Sequence, residues 1–136
     1  MHTEEKNEQN IRQQEAVHRL HECCTEENLW RCIAEFQNTR MWTASGLPFQ
    51  YKLKVGRNGR FTKELWVDRR EDSKSLAWSS IVLALGNIKG EVVDGPKALG
   101  DIRGATYIYG MFNRFGLIDV PDKVKEKMGH PKTRKK

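Results

Sequence analysis

At Phe49 the apolar residues of this chain change period. Before it they recur at helical spacing, and from it Phe49, Tyr51, Leu53 and Val55 alternate with Gln50, Lys52 and Lys54. Successive side chains of a strand point to opposite faces, so this run has one apolar face and one basic face. Gly56-Arg57-Asn58-Gly59 is a turn, after which Phe61, Leu65 and Val67 resume the alternation, and together they predict a β-hairpin.

Helical patterns flank the hairpin. Thr25 is placed to cap a helix whose first turn carries Glu26 and Glu27 and whose stripe is Leu29, Cys32, Ile33 and Phe36, ending near Gln37. Residues 38–48, with Trp42, Ser45, Gly46 and Pro48, read as a packed-down loop. A further helix is expected to start at Asp72 or Ser73, to bury Trp78, Ile81, Val82, Leu85 and Ile88, and to weaken and end at Gly86 and Gly90. Val92-Val93 is a short strand or extended link. Asp94 and Pro96 are then a cap and a first-turn proline for a short helix.

The stretch Gly95 to Ile118 follows as helix, turn at Leu99-Gly100-Asp101, helix from about Ala105 to Phe115, and exit through Gly116-Leu117-Ile118. Ile108, Met111, Phe112 and Phe115 would bury one face of its second helix. The opposite face carries Arg103, Thr106, Tyr107, Asn113 and Arg114, residue types that contact bases and phosphates, around a Gly110 that permits close approach. A helix-turn-helix has this layout, and so does a buried two-helix corner. After Ile118 one weak helical turn is expected around Val124 and Met128.

The charge is unevenly spread. Residues 1–28 hold three basic and seven acidic residues and the remainder 21 and 11, so the part beyond the first helical cap is strongly basic and suited to a polyanion. Seven basic residues, Lys52, Lys54, Arg57, Arg60, Lys63, Arg69 and Arg70, crowd the hairpin and its exit, more than the protection of strand edges requires. Residues 1–24 contain only Ile11, Val17 and Leu20 as spaced apolar positions, which predicts a frayed helix, a helix that needs a partner, or disorder. The expected organisation is an acidic segment at 1–24, one domain at 25–128 and a disordered basic tail at 129–136.

The chemistry of an enzyme is hard to find. No Gly-rich phosphate loop, His-Glu-x-x-His pair or Gly-x-Ser-x-Gly elbow is present. His18, His21, Cys23 and Cys24 are the best metal candidates, yet adjacent cysteines strain a tetrahedral site. The run Asp68 to Asp72 alternates across a strand and fits a surface charge network better than a metal cluster. No catalytic residue, metal or other cofactor is therefore expected. Three cysteines, two of them adjacent, make a poor disulfide framework and fit a reducing compartment, and without an apolar run of signal or membrane length a cytoplasmic location is expected. Among the aromatics, Trp30, Trp42 and Trp78 read as packing residues. Trp66 is out of phase with Leu65 and Val67, shares a face with Thr62 and Glu64, and lies either beneath a second layer or open to a partner.

The run from Thr43-Ala44-Ser45-Gly46-Leu47-Pro48-Phe49, through Glu64-Leu65-Trp66-Val67-Asp68-Arg69-Arg70 and Ser73-Lys74-Ser75-Leu76-Ala77-Trp78, to Pro96-Lys97-Ala98-Leu99-Gly100-Asp101-Ile102-Arg103-Gly104 resembles a family of short proteins of Gram-positive gut bacteria. Some of these are found near mobile elements. The resemblance spans roughly residues 25 to 128 and carries no activity or catalytic residue with it. Separately, Leu99-Gly100 to Gly116-Leu117-Ile118 is similar to the second and third helices of winged-helix regulators, although little more than one helical turn fits after Pro96.

These readings converge on an α+β, winged-helix-like domain in which a basic hairpin packs with about four helices. The expected function is non-catalytic DNA binding, as a regulator or accessory factor. The helix at Ala105 to Phe115 would enter the major groove, with Arg103, Thr106, Tyr107, Asn113 and Arg114 making contacts. Lys52, Lys54, Arg57, Arg60 and Lys63 of the hairpin would meet phosphates or the minor groove, and Arg69 and Arg70 are further nucleic-acid contacts. The alternative is an inhibitor or accessory factor of a mobile element, of the anti-defence kind, acting on a protein or an RNA-protein complex. No membrane partner is expected.

Overall fold

Arg57 and Asn58 turn the chain, and Gly59, at φ 78°, returns it, with Gly56 N–H donating to the Arg60 carbonyl at 2.8 Å. This is the hairpin form in which a left-handed residue follows the turn. In the computed structural model, which describes residues 2–68, 73–88 and 92–128, the hairpin joins β2 (Pro48–Val55) to β3 (Phe61–Asp68). Two further strands flank it, β1 (Met41–Trp42) against the start of β2 and β4 (Ser73–Ala77) against β3, so an antiparallel sheet runs in the order β1-β2-β3-β4. The described residues also form five α-helices and one 3-10 helix, making the architecture α+β. The chain divides into two compact units, Met1–Gln37 and Asn38–Lys136.

The first unit is a helical hairpin of α1 (His2–Glu22) and α2 (Glu26–Glu35). Thr25 caps α2 as expected, its hydroxyl accepting from Asn28 N–H at 3.1 Å. The Asn28 amide reaches back to the Cys23 carbonyl at 2.8 Å and so ties the turn to both helices. At the far end Gln13 donates to the Glu35 carbonyl and Arg12 pairs with the Glu35 carboxylate at 3.2 Å. The segment expected to be a frayed helix, a helix that needs a partner, or disordered is helical from His2 to Glu22 beside α2, and its buried face is Gln13, Ala16 and Leu20 while Ile11 stays exposed. Leu20 is the one large apolar residue of that face, beside an alanine and a glutamine with a backbone partner, so its apolar periodicity is weak. In α2, Leu29, Cys32, Ile33 and Phe36 are buried as expected. Burial, with Glu35 adding to it, pushes the Cys32 thiol up to about 12, so the thiol stays protonated and unreactive.

In the second unit one face of the sheet is apolar. Leu53, Leu65 and Leu76 stand in one row across β2, β3 and β4, and Tyr51 pairs with Val67 in the next. All five are buried. The alternation fails at Val55, which is 62% exposed, because the register shifts between Leu53 and Val55 as the hairpin nears its turn. Ser73 to Ala77, expected to open a helix, is instead β4, and α3 (Trp78–Gly86) begins only at Trp78. Leu76 completes the leucine row, and a strand there buries it. In α3 the fully buried residues are Ile81 and Ala84, while Trp78, Val82 and Leu85 are half-buried, as is Ile88, which lies beyond the end of the helix. The expected start at Asp72, the stop at Gly90, the charged run Arg69 to Asp72 and the tail at 129–136 lie outside the described residues.

Pro96–Leu99 is a single 3-10 turn whose cap is Gly95; Asp94 does not cap it. Asn87 holds the turn by donating to the Leu99 carbonyl at 2.8 Å. Gly104 then leads into α4 (Ala105–Arg114), followed by α5 (Asp122–Lys125). Ile108, Met111, Phe112 and Phe115 are buried as expected, and so are Tyr109 and Gly110, so the middle of α4 is enclosed all round. A side chain at Gly104 would strike Leu76 of β4, and one at Gly110 would lie 2.7 Å from the Trp42 carbonyl oxygen and about 3 Å from the Phe49 ring. The helix therefore passes from β4 to β1 with its backbone nearly touching the sheet. The carbonyls of Phe112 and Asn113 are closed by the Leu117 and Gly116 N–H groups, a Schellman ending with Gly116 at φ 75°.

Tyr109 donates its hydroxyl to the Val93 carbonyl, and burial, with Asp94 adding to it, pushes its pKa up to about 12 from an ordinary 10.0. The folded chain holds this proton more tightly than the unfolded one. The contribution is complete below pH 10 and is lost as pH rises toward 12. In urea unfolding at pH 9 to 12, Tyr109→Phe is expected to show a shallower loss of stability across the upper part of that range than the wild type. A second expectation follows from the close approach at Gly110. Alanine is the better helix former by about 1 kcal/mol, yet Gly110→Ala should lower stability by about 1–3 kcal/mol because its methyl meets backbone that cannot move aside. A raised urea midpoint would contradict that packing.

Candidate nucleic-acid interface

The other face of the sheet follows from the same pairing. Lys52, Trp66 and Ser75 form one row across it, opposite in phase to the leucine row, and Gln50 and Asp68 flank them. Trp66 is 39% exposed, and no second layer among the described residues covers it. The Lys54 ammonium lies 4.2 Å from the Trp66 ring centroid, donates to Ser75 Oγ at 2.9 Å and stands 3.6 Å from Glu64 Oε1. Ser75 also donates to Glu64 at 3.4 Å. Lys54 is thus held by a carboxylate, a hydroxyl and a π face, and it fixes the indole more than it offers charge to solvent.

The cations open to a partner lie beside and beyond it. Lys52, Arg57 and Arg60 are exposed and hold no ion pair among the described residues. Arg57 and Arg60 sit in the turn, whose shape is fixed by Arg60 N–H donating to Asn58 Oδ1 at 3.0 Å. Lys63 is one residue out of phase with Glu64 and Trp66, and its ammonium leans over the Trp78 ring at 5.2 Å. It does not share the face of Lys52. Arg69 and Arg70 fall outside the described residues.

The residues expected on a DNA-reading face of α4 are divided. Arg103, in the turn before α4, and Thr106, in its first turn, are exposed. Tyr107 is half-buried, edge-on to the Phe49 ring with centroids 5.2 Å apart. Gly110 is covered by β1, and Asn113 and Arg114 lie beyond it at the other end, lining a groove with Arg40 and Trp42. The glycine taken as a point of approach for DNA is the point of approach for β1, so Thr106, Tyr107, Gly110, Asn113 and Arg114 do not make one open surface. That groove joins residues more than 70 positions apart, which no local pattern signals.

Among the described residues no three His, Cys, Asp or Glu side chains are close enough to hold a metal ion, and Cys23 and Cys24 are free, exposed thiols. No described helix is long and apolar enough to cross a membrane. Compared with family models, curated proteins and solved structures, the chain finds no match in any of the three.

Leu65 and Trp66 are neighbours on opposite faces, and this gives a direct check. Leu65→Ala should cost about 2–5 kcal/mol, as for a buried leucine. Trp66→Ala should cost about 1 kcal/mol, mainly through the contact with Lys54. Equal losses in thermal unfolding would mean that the outer face is covered.

Proposed function

We propose that the protein is a non-catalytic DNA-binding protein, a regulator or accessory factor, whose contact element is the β2–β3 hairpin. One observation carries this reading: Lys52, Arg57 and Arg60 stand exposed without an ion pair among the described residues, along a rigid hairpin beside an exposed Trp66. Phosphates supply most of the binding free energy of a duplex, and cations already spent on internal carboxylates cannot collect it. A sheet or ribbon also docks in a DNA groove, where Trp66 would add apolar contact with sugars or thymine methyl groups.

In this reading the hairpin does what the wing does in a winged-helix regulator. The resemblance of the turn between Leu99 and Gly104 to such proteins then concerns how α4 is seated, while the buried middle of α4 stays behind the sheet. Arg103, in the turn before α4, and Thr106, in its first turn, are further exposed contacts. Their place in the interface depends on how the hairpin lies on the duplex.

The test is fluorescence anisotropy with a labelled random-sequence duplex over a series of salt concentrations. The logarithm of the binding constant should fall with a slope of about −0.9 per phosphate neutralised, and Arg57→Ala with Arg60→Ala should make that slope shallower by about one to two units. Trp66→Ala should weaken binding by about tenfold with little change of slope, because it removes contact and not charge. An unchanged slope in the double arginine variant takes the hairpin out of the interface. If no duplex binds at low salt and one protein copurifies stoichiometrically, the hairpin is a protein-docking element of the anti-defence kind.

A further inference from the structure

The outer face of the sheet is laid out in rows. Gln50 pairs with Asp68, Lys52 with Trp66 and Trp66 with Ser75, and Glu64 with Ala77 one row nearer the hairpin turn. Residues two apart along a strand share a face, so successive rows lie about 7 Å apart. From Trp66 back to Arg60 at the turn the chain runs six residues, about 20 Å of extended backbone. The face is therefore long enough for several nucleotides of a strand.

Trp66 is held in place before any ligand arrives. The Lys54 ammonium lies 4.2 Å from the ring centroid and is itself tied to Ser75 Oγ at 2.9 Å and to Glu64 Oε1 at 3.6 Å. One cation covers one π face, and 39% of the residue stays exposed. An indole fixed in this way has already lost much of its rotamer freedom, so a ligand that stacks on it meets a smaller entropic cost.

Charge changes sign along the same face. Lys52 beside the indole, and Arg57 and Arg60 at the turn, are exposed cations without an ion pair among the described residues. Asp68 lies on the other side of the indole row from the turn and is exposed, and Gln50 opposite it is neutral. A polyanion on this face is drawn to the turn side of Trp66 and repelled beyond it. The bases of a duplex offer a groove only their edges, because each π face is covered by the next pair. An unpaired strand exposes its π faces, and any base can stack on an aromatic ring while its phosphates follow the neighbouring cations.

We propose that this face binds an unpaired DNA strand, with one base stacked on the open side of Trp66 and the adjoining phosphates running past Lys52 toward Arg57 and Arg60. The inference rests on the DNA-binding reading above and adds to it the form of the DNA. The hairpin cations serve duplex and single strand alike, whereas the indole gains a full stacking partner only where bases have left the duplex.

The experiment is fluorescence anisotropy at low salt with the full chain and three labelled probes. They are a blunt duplex, the same duplex with a short single-stranded extension, and that duplex with an extension of abasic sugar-phosphate, which keeps the phosphates and removes the bases. The extension with bases should bind about tenfold tighter than the abasic one. Trp66→Phe should keep most of that difference and Trp66→Leu should lose it, which separates stacking from general apolar contact. Arg57→Ala with Arg60→Ala should weaken all three probes and leave the ratio between the two extensions unchanged, because these charges meet phosphate in each. If the duplex binds through the hairpin arginines but the two extensions bind alike, or if Trp66→Leu keeps the difference, this inference falls and the DNA-binding reading stands. If no probe binds at low salt, both fall.

Discussion

The second unit depends on how closely the backbone of α4 approaches β1. With hydrogen alone at Gly110, the helix axis settles onto the Trp42 carbonyl and the Phe49 ring, and a single methyl would occupy space already taken by backbone. Side chains of α4 on all sides are then enclosed, and Ile108, Tyr109, Met111 and Phe112 are all fully buried. A ten-residue helix buried through its middle is a core element whatever the chemistry of its ends. It can offer surface only at its first and last turns, and there Thr106 and Arg114 are exposed. The helix thus positions two separated surfaces, the sheet it underlies and the groove at its end.

That division explains what was legible in the sequence. The hairpin could be read because a strand's period of two is local: Tyr51, Leu53, Leu65 and Val67 all face inward as alternation requires, and Lys52 and Trp66 outward. The α4 stripe of Ile108, Met111, Phe112 and Phe115 could be read for the same reason. Which way the other side of α4 faces could not. Its polar residues and small Gly110 fit both a DNA-reading surface and a packing surface, and the choice depends on β1, a two-residue strand more than 60 positions earlier in a segment that reads as loop.

Elsewhere a long-range partner overrides local preference. Ser73 to Ala77 has little strand propensity, yet five residues pair with the edge of β3 because Leu76 completes a row with Leu65 and Leu53. Residues 2–22 lack an apolar stripe, yet α1 has α2 to pack on. A helix that would be marginal alone in water is held by Ala16, Leu20 and the Gln13 amide on the Glu35 carbonyl. Val55 shows the opposite effect: its pattern says core, but the irregular register near the turn carries it into solvent.

The arrangement of charge on the sheet bears on how such a surface works. A lysine count treats Lys52 and Lys54 alike, but the structure does not. Lys54 has only 21% of its side chain exposed and is compensated by Glu64, so bringing it near a phosphate would set that carboxylate against the same phosphate. Lys52, Arg57 and Arg60 carry no such penalty, and the two arginines lie at the end of the hairpin, where solvent screens their mutual repulsion and the core contributes nothing to hold them. The compensated lysine instead keeps the indole of Trp66 in place on the outer face. Charge for long-range attraction is thus kept at the tip, and the ordered apolar contact that discriminates at short range is kept on the flat of the sheet, where pairing across three strands makes the backbone rigid.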